Sequence, residues 1–246
     1  MGLLHGLLDL ALAPRCLGCG GPAGPGGHLV CGRCRSRLAP PPPPLCPRCG
    51  FPRLQTGRDP APTCQECGEW PVGLRAARSA CLLRAPADAL VYQLKYRGWH
   101  RLAVTMGRRM AETRLPDDVV TEARLVVPVP TTRLRLRERG YNQAEVLAGA
   151  FARESGRTVI CGLQRSAGAS SQIALQPAAR LANVAGAFGP VAGTEPDLAG
   201  EHVLLVDDVL TTGATVTACA RVVVDAGARC VSVITFARAT GRLRLD

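Results

Sequence analysis

The sequence is poor in lysine, in aromatic residues and in long apolar runs. Of its 30 basic residues only Lys95 is a lysine, and phenylalanine, tryptophan and tyrosine make up 4% of the 246 residues. A membrane-spanning helix needs about 20 consecutive apolar residues, so no spanning segment is predicted. Scarce aromatic rings leave few surfaces on which bases could stack, so any contact with nucleic acid is expected mainly through phosphates.

Two catalytic patterns are missing as well. The phosphate-binding signature G-x-x-x-x-G-K-[ST] does not occur in the sequence, which argues against a P-loop nucleoside triphosphatase. None of the four histidines lies near a candidate nucleophile, so covalent catalysis has no support. The length and the 47% hydrophobic content allow one large domain, or one ordinary domain with a small appendage.

Positive charge is concentrated in the middle of the chain. The formal net charge is +11, and residues 71–140 hold fourteen basic and six acidic residues, a net of +8. Arginine suits phosphates because its planar guanidinium donates paired hydrogen bonds. The distribution favours a phosphate-bearing or nucleic-acid partner, and the alternative is a solvated face kept positive for solubility.

Eight of the twelve cysteines form four C-x-x-C pairs before residue 70. Eleven residues separate the first two pairs and fourteen the last two, as in zinc ribbons with four cysteine ligands. Four thiolates complete a tetrahedron with no open position, so we predict two structural Zn²⁺ sites. Ligands that cross between the ribbons are an alternative to pairing in chain order. In chain order the ligands are Cys16, Cys19, Cys31 and Cys34, then Cys46, Cys49, Cys64 and Cys67.

Other uses of paired cysteines explain this pattern less well. A disulfide framework belongs to an oxidising compartment, and redox-active C-x-x-C pairs open a helix, for which there is no pattern here. The first residues lack a basic leader, and leucines such as Leu4, Leu8 and Leu12 recur at helical spacing. They predict a short amphipathic helix rather than a signal peptide, and a cytoplasmic protein is therefore expected.

The pattern changes after the cysteines to alternating apolar strands and amphipathic helices. ARLVVPVP, HVLLVDD and CVSVITFA are typical of buried strands, and NQAEVLAGAFARES and TGATVTACARVVVDAG predict helices. Such alternation predicts an α/β fold, a parallel sheet with flanking helices. We therefore predict an N-terminal helix with a double zinc ribbon in residues 1–72, and the sheet domain in residues 73–246.

One stretch, VLLVDDVLTTGATV at residues 203–216, places two acids and a cluster of threonines behind an apolar run. In parallel α/β sheets, ligands bind beyond the carboxyl ends of the strands. Asp207 and Asp208 would repel a phosphate, so we expect them to face sugar hydroxyls, a divalent cation, or both. Hydroxyl groups and free backbone N–H groups at the start of the next helix make an anion site from Thr211, Thr212, Gly213, Ala214 and Thr215.

Three other interpretations explain less of this stretch. A receiver domain carries adjacent acids in its first strand and needs a further aspartate and lysine in order. A Walker B strand needs the phosphate-binding loop that is missing here. A capped helix after a strand accounts for one threonine or aspartate but not for the whole cluster.

Together these features resemble the ComF family, in which paired zinc ribbons precede a type I phosphoribosyltransferase-like domain. DDVLTTGAT resembles the motif with which type I phosphoribosyltransferases bind phosphoribosyl diphosphate (PRPP). The similarity covers nearly the whole chain. Its further motifs are LKYRG at 94–98, RERGYNQAEVLA at 137–148, Gln172 with Leu175, and RLANVAGAF at 180–188.

The resemblance implies a site for PRPP with Mg²⁺. Asp207 and Asp208 would accept hydrogen bonds from the ribose hydroxyls and interact with bound Mg²⁺, and residues 211–215 would bind the 5-phosphate. The loop after Pro130 would bind pyrophosphate, and Arg133 joins the two aspartates as a candidate catalytic residue. The residues of that loop and its further cations are Thr131, Thr132 and Arg133, then Arg135, Arg137 and Arg139.

Two functions remain open from the sequence. The first is an enzyme that transfers phosphoribose from PRPP to an acceptor, in DNA uptake or nucleotide metabolism, through charge neutralisation and positioning. The second is a non-catalytic accessory protein that contacts single-stranded DNA and the DNA-uptake machinery. It would use the zinc ribbons and the arginine-rich segment.

Overall fold

The structure is a computed structural model that describes residues 14–24, 27–53, 64–165 and 186–241. Within these ranges the strands are β1 (Leu74–Leu82), β2 (Leu125–Pro128), β3 (Thr158–Val159), β4 (Leu163–Arg165), β5 (Phe188–Pro190), β6 (His202–Leu210) and β7 (Cys230–Arg238). The helices are α1 (Gly32–Ser36), α2 (Ala87–Tyr96), α3 (Leu102–Ala111), α4 (Asp117–Glu122), α5 (Arg133–Arg139), α6 (Gln143–Ser155), α7 (Glu195–Leu198) and α8 (Ala214–Asp225).

Five strands form one parallel sheet in the order β1-β7-β6-β2-β3, and β4 pairs with β5 in a separate antiparallel ribbon. Parallel strands bring their carboxyl ends to one edge of the sheet. Val206 on β6 stands opposite Pro128, the last residue of β2. Asp207 and Asp208 therefore lie beside the loop that leaves β2, which begins at Val129.

Alternating side chains along the strands divide the core into two faces. On the first face, Leu204 of β6 belongs to a cluster that includes residues of α2, α3 and α6. On the second face, Leu205 belongs to a cluster that includes residues of α8. Both faces are covered, as expected for a parallel sheet.

The two cysteine modules pack against different faces of this sheet. We call residues 14–24 and 27–39 the first ribbon, and residues 45–53 and 64–71 the second ribbon. Cys34 and Leu38 of the first ribbon join the cluster on the first face. Cys49 and Trp70 of the second ribbon join the cluster on the second face. Each ribbon therefore shares a core with the sheet.

The helices next to the sheet edge begin and end at residues suited to those positions. Asn142 caps α6, where its side chain accepts a hydrogen bond from the backbone N–H of Ala144. Thr132 caps α5 in the same way and accepts from the N–H of Arg135. Gly140 then ends α5 in the left-handed conformation at φ +80°, which glycine adopts without a steric penalty.

The predicted α/β fold with a parallel sheet and flanking helices is confirmed. The principal strands and helices lie where the sequence places them, within a few residues at their ends. Among the described residues, no helix has the length and apolarity needed to cross a membrane. The predicted N-terminal helix falls outside the described residues, and the division into residues 1–72 and 73–246 stays a prediction.

Local predictions differ from the structure in three places. One C-x-x-C pair does begin a helix, since Cys31 is the N-cap of α1 and Cys34 lies within it. The apolar segment TVICGL at 158–163, which the sequence predicts to be one strand, is divided: Thr158–Val159 pairs with β2, whereas Leu163–Arg165 pairs with β5. The arginine-rich segment after β2 forms helix α5, which has no buried residue. Its leucines and arginines alternate, so it lacks the helical apolar stripe by which an amphipathic helix is recognised.

Candidate functional site

The eight paired cysteines form two clusters, and each cluster takes its members in chain order. Within each cluster the four sulfur atoms lie within 4.8 Å of one another. A tetrahedral Zn²⁺ with Zn–S bonds of about 2.3 Å sets its sulfurs about 3.8 Å apart. The Cys46–Cys67 and Cys49–Cys64 sulfur pairs are 3.8 and 3.7 Å apart. Both clusters therefore fit structural zinc with no position left for a substrate.

The first cluster is also supported by its backbone. The N–H of Cys31 donates to Cys16 Sγ over 3.2 Å, and the N–H of Cys34 donates to Cys31 Sγ over 3.4 Å. Hydrogen bonds of this kind disperse the negative charge of thiolates and fix their direction. The geometry thus favours metal-bound thiolates in the first ribbon.

A pocket of about 180 Å³ lies at the carboxyl edge of the sheet, between the end of β6, the loop after β2 and the start of α6. Most of its exposed lining is polar. It is lined by Lys95, Val129, Pro130, Thr131, Arg135, Arg139, Asn142, Gln143, Ala144, Arg165, Asp207, Asp208, Val209 and Thr215.

Two adjacent carboxylates form one wall of this pocket. Asp208 is 5% exposed and its Oδ1 lies 2.8 Å from Lys95 Nζ at the end of α2. Asp207 is partly exposed, and its Oδ1 accepts the backbone N–H of Asp208 over 2.8 Å. The acidic pair is therefore held at the pocket surface by one cation and one backbone donor.

The protonation of Asp207 is sensitive to this setting. Although the residue is partly exposed, its carboxyl group is desolvated by the surrounding protein, and this desolvation, followed by the neighbouring charge of Asp208, raises the pKa of Asp207 to about 7. The N–H of Asp208 and the charge of Lys95 oppose this rise. Close to neutral pH, Asp207 can therefore release its proton when it binds a ligand that favours the ionised carboxylate.

The threonine loop, residues 211–215, leads from β6 into α8. Thr211 and Thr212 are exposed, Thr215 lines the pocket, and Ala214 begins the helix. Gly213 has φ +84°, a left-handed conformation that a residue with a side chain rarely adopts. The loop therefore offers the hydroxyl group of Thr215 to the pocket, whereas Thr211, Thr212, Gly213 and Ala214 lie outside its lining.

Cations surround the opposite side. Arg135 and Arg139 project from α5, and Arg165 comes from the end of β4. Burial, and then the charge of Arg135, lower the pKa of Arg165. An anion stabilises guanidinium groups that lie this close together. Each planar guanidinium can donate two parallel hydrogen bonds to the oxygens of a phosphate.

Two polar atoms in the pocket residues lack protein partners. Among the described residues, Gln143 Nε2 and Arg165 Nε are buried without a hydrogen-bond acceptor. Gln143 Oε1 is already bonded to Arg139 Nη1 over 2.9 Å, which fixes the direction of its amide. Unpaired buried donors are costly, and here both belong to residues that line the pocket.

The pocket gathers six of the thirteen residues that the sequence assigns to this site: Thr131, Arg135, Arg139, Asp207, Asp208 and Thr215. The other seven lie outside its lining. Thr132 is instead the cap of α5, Arg133 is its exposed first residue and Arg137 lies on the same helix. The remaining four are Thr211, Thr212, Gly213 and Ala214 of the threonine loop. Gln172 and Leu175 lie outside the described residues. The roles of all these residues stay predictions.

Comparison with known proteins identifies two segments of the chain. The double zinc ribbon domain matches residues 7–69, and the phosphoribosyl transferase domain matches residues 144–246. The DNA utilization protein YhgH of Escherichia coli O157:H7 is 28% identical over 223 residues, which cover 84% of this chain and 89% of that protein.

Two competence proteins are similar as well. Competence protein ComFC of Bacillus subtilis is 28% identical over 84% of this chain and 82% of its own length. Competence protein F of Haemophilus influenzae is 30% identical over 56% of this chain and 57% of its own length. The chain belongs to the ComF family. In this ComF protein the matched phosphoribosyl transferase segment contains the threonine loop and both aspartates.

Sequence reasoning missed three polar residues that line the pocket of this ComF protein: Lys95, Asn142 and Gln143. Lys95 had a signal, because it is the single lysine among 30 basic residues and stands within LKYRG. Asn142 and Gln143 lie in the RERGYNQAEVLA motif, but their position at a helix start also fits an ordinary cap. Arg165, which also lines the pocket, begins the segment RSAGASSQ at 165–172, which the sequence indicates as a candidate substrate contact.

Proposed function

We propose that this ComF protein binds PRPP together with Mg²⁺ in the pocket and transfers its phosphoribosyl group to an acceptor. The observation that carries the proposal is a single pocket with an acidic wall, a donor-rich loop and a cationic wall. Asp207 and Asp208 form the first, the threonine loop forms the second through Thr215, and arginines such as Arg135 and Arg139 form the third. PRPP likewise combines a hydroxyl-bearing ring with phosphate groups at both ends.

The three parts of the pocket suit three parts of the ligand. The carboxylates of Asp207 and Asp208 accept hydrogen bonds from the ribose hydroxyls and offer the oxygen ligands that Mg²⁺ prefers. The threonine loop donates hydroxyl and backbone N–H groups to the 5-phosphate. Arg135, Arg139 and Arg165 neutralise the pyrophosphate, together with the unpaired donor of Gln143.

The transfer itself requires little covalent chemistry from the protein. The bond between ribose C1 and the pyrophosphate oxygen breaks, its electron pair leaves with pyrophosphate, and a lone pair on the acceptor forms the new bond to C1. Positive charge develops on the ring and negative charge on the leaving group, so the arginines stabilise the departing anion. Bound Mg²⁺ supplies further neutralisation of the pyrophosphate charge. Fixed contacts at both ends of the ligand hold C1 toward the acceptor.

The same proposal assigns the rest of the chain. Residues 1–72 serve as a structural zinc module for a transferase domain of residues 73–246, in the cytoplasm. The names of the relatives, DNA utilization protein and Competence protein F, support a role connected with DNA uptake. Support for the zinc module comes from two sulfur clusters of tetrahedral dimensions.

Calorimetry tests the proposed site. Titration of PRPP into the full chain with Mg²⁺ should give saturable binding, and the Asp207→Asn, Asp208→Asn double variant should lose it. Asp225→Asn, at the far end of α8, is the matched control and should bind as the parent does. A parent protein that binds no PRPP, or a double variant that binds it equally well, contradicts the proposal.

Transfer is tested separately by pyrophosphate release. Purine, pyrimidine and nicotinate acceptors are each incubated with PRPP, Mg²⁺ and the parent protein. One acceptor should give acceptor-dependent release that the double variant lacks. Binding without release on any acceptor would reduce the proposal to a PRPP-binding protein.

A second function, contact with single-stranded DNA, is favoured by a different observation. Three of the few aromatic residues are exposed near the end of α2: Tyr92 is 47%, Tyr96 is 60% and Trp99 is 41% exposed. Arg139, which lines the pocket, lies 4.9 Å from the ring centre of Tyr96, and Arg97 lies 5.8 Å from that of Tyr92. Exposed rings beside guanidinium groups suit unpaired bases linked by phosphates.

Anisotropy with a labelled oligothymidine across a salt series tests this second function. Affinity should fall steeply with salt, and Tyr96→Ala should weaken it by about tenfold, the effect of losing one stacked base. Val120→Ala removes a similarly exposed apolar side chain from α4 and should have no effect. Affinity that responds to neither salt nor Tyr96→Ala contradicts DNA contact at this surface.

A further inference from the structure

Trp70 of the second ribbon packs directly against the threonine loop. A Cβ atom placed on Gly213 would lie 2.8 Å from Cζ2 and 2.9 Å from Nε1 of Trp70. Real Cβ atoms do not approach so closely, so the backbone of Gly213 is in contact with the indole. Trp70 is only 7% exposed, and its ring therefore forms a wall behind the loop.

Trp70 is in turn tied to both halves of the second cysteine cluster. The backbone N–H of Trp70 donates to the carbonyl of Cys67 over 3.2 Å. Arg48, which lies between Cys46 and Cys49, donates to the carbonyls of Cys67, Trp70, Pro71 and Leu74 over 2.6 to 3.2 Å. One guanidinium thus joins the two C-x-x-C turns to the segment that carries Trp70.

The second ribbon is also fixed to the sheet. The N–H of Ala77 on β1 donates to the carbonyl of Arg48 over 2.7 Å. Arg238, at the end of β7 and 1% exposed, donates to the carbonyl of Cys49 over 3.3 Å. The second ribbon is therefore anchored to β1 and to β7.

The first ribbon provides a natural comparison. It packs on the opposite face, where Arg109 of α3 donates to the carbonyl of Leu38 over 3.3 Å. Its cysteine cluster has the same composition and dimensions as the second. Among the described residues, none of its side chains is among the nearest neighbours of the Cβ position of Gly213, which are all atoms of Trp70.

We propose that Trp70 is a positioning residue through which metal in the second cysteine cluster, and not in the first, holds the threonine loop in its binding conformation. The proposal rests on the proposed function for its effect on PRPP, but the coupling between metal and loop stands without it. Metal loss from the second cluster would release the Arg48 clamp, withdraw Trp70 and let residues 211–215 relax.

The two tryptophans of the chain allow this coupling to be observed without any ligand. Trp99→Phe leaves Trp70 as the single tryptophan, next to Gly213. In that background, Cys64→Ser disrupts the second cluster and Cys19→Ser the first. Cys64→Ser should shift the Trp70 emission to longer wavelength and raise amide hydrogen exchange at residues 209–215, whereas Cys19→Ser should change neither.

The effect on ligand is measured by titrating PRPP and Mg²⁺ into full-length variants with Trp99 intact. Cys64→Ser should weaken binding by about tenfold or more because a displaced loop no longer meets the phosphate, whereas Cys19→Ser should stay within about twofold. Trp70→Ala, which keeps all eight cysteines, should retain full zinc content and show the same loss. Trp70→Phe should restore part of the affinity because it returns a ring to the loop.

Each outcome decides something different. If Cys64→Ser and Cys19→Ser alter exchange at residues 209–215 equally, the coupling is wrong. It is also wrong if Trp70→Ala binds PRPP as the parent does, a test that does not depend on the folding of Cys64→Ser. If the parent binds no PRPP, the proposed function fails, and the fluorescence and exchange measurements still decide the coupling.

Discussion

Lys95 Nζ lies 2.8 Å from Asp208 Oδ1, so the end of helix α2 is joined to the end of strand β6 inside the pocket. Asp208 is almost fully buried and the Lys95 side chain is 24% exposed. A pair in this position costs desolvation free energy, which is recovered only while both partners are present. Because both partners line the pocket, the pair contributes to the acidic wall of the pocket as well as to the stability of the fold.

Replacement of Lys95 should therefore affect both folding and the acidic wall. Lys95→Met should lower the free energy of unfolding by about 2 to 3 kcal/mol at pH 8, because Asp208 is left buried beside Asp207 without its cation. It should also raise the pKa of Asp207 above about 7, because the lysine charge holds it down. Denaturant unfolding and PRPP titration across pH measure the two effects.

Lys95→Arg is the matched control and should retain most of both properties because it keeps the positive charge. Equal stability and equal pH dependence of Lys95→Met and the parent would show that the ion pair has no role in the pocket.

The titration of Asp207 predicts how PRPP binding depends on pH. With a pKa of about 7, raised by burial and by Asp208, the carboxyl group is protonated in part at neutral pH. Affinity for PRPP with Mg²⁺ should rise by up to about tenfold per pH unit below pH 7 and level off above it. Asp207→Asn should remove the contribution of this carboxyl group to the pH dependence of PRPP affinity. Any pH dependence that the variant retains is due to the phosphates of PRPP itself.

The carboxyl group of Asp207 also affects the stability of the fold, which should fall as pH rises, whereas the affinity for PRPP should increase. Its pKa is raised from an ordinary 3.8 to about 7 in the folded protein. Between these values the folded chain holds a proton that the unfolded chain has lost, so this contribution to stability is complete below pH 3.8 and falls as pH rises through 7. Asp207→Asn should flatten that slope in unfolding experiments at pH 5 to 8. An unchanged slope would show that another group causes it.

Substitution of Gly213 tests the packing of Trp70 on the threonine loop. Gly213→Ala introduces both left-handed strain and a clash, whereas Gly156→Ala introduces strain alone, since its Cβ position has nothing within 4 Å. Gly156→Ala should cost about 1 kcal/mol of stability, and Gly213→Ala about 2 kcal/mol more because of the clash. Thermal and denaturant unfolding measure both values.

The double variant Gly213→Ala, Trp70→Ala separates the clash from the loss of the indole. A cycle of the two single variants and the double variant should give an interaction energy of about 1 to 2 kcal/mol. Strict additivity would mean that the indole and Gly213 are not in contact.

Zinc content tests the cysteine clusters directly. The parent should hold two zinc ions per chain, and Cys31→Ser and Cys64→Ser should each lose one, because a site built from four cysteines has no spare ligand. Cys161→Ser, an exposed cysteine outside both clusters, is the control and should keep both ions. Zinc released on denaturation can be counted with a colorimetric chelator. Full zinc in Cys64→Ser would contradict the assignment of the second cluster.

How much of this fold follows from sequence depends on the range of the interactions. The cysteine clusters and the threonine loop are encoded by spacing within short segments, so both could be predicted from residues such as Cys46, Cys49 and Gly213. The parallel sheet follows from the alternation of apolar strands with amphipathic helices. These features need no knowledge of distant contacts.

The remainder of the site depends on contacts between distant segments. Lys95 reaches Asp208 only because α2 packs beside the end of β6, and no local pattern states that. The docking of the ribbons on opposite faces likewise depends on single side chains, such as Arg48 with its four carbonyl acceptors. Helix α5 was missed because its Thr132 cap and Gly140 end enclose a segment without an apolar stripe.

A crystal structure of the full chain with PRPP and Mg²⁺ is the most direct test of the central claim. We predict the ribose hydroxyls against Asp207 and Asp208, the 5-phosphate on residues 211–215, and the pyrophosphate toward Arg135 and Arg139. An empty pocket at saturating PRPP, or PRPP bound at another surface with Asp208 still paired with Lys95 and Asp207 without a ligand, would contradict it.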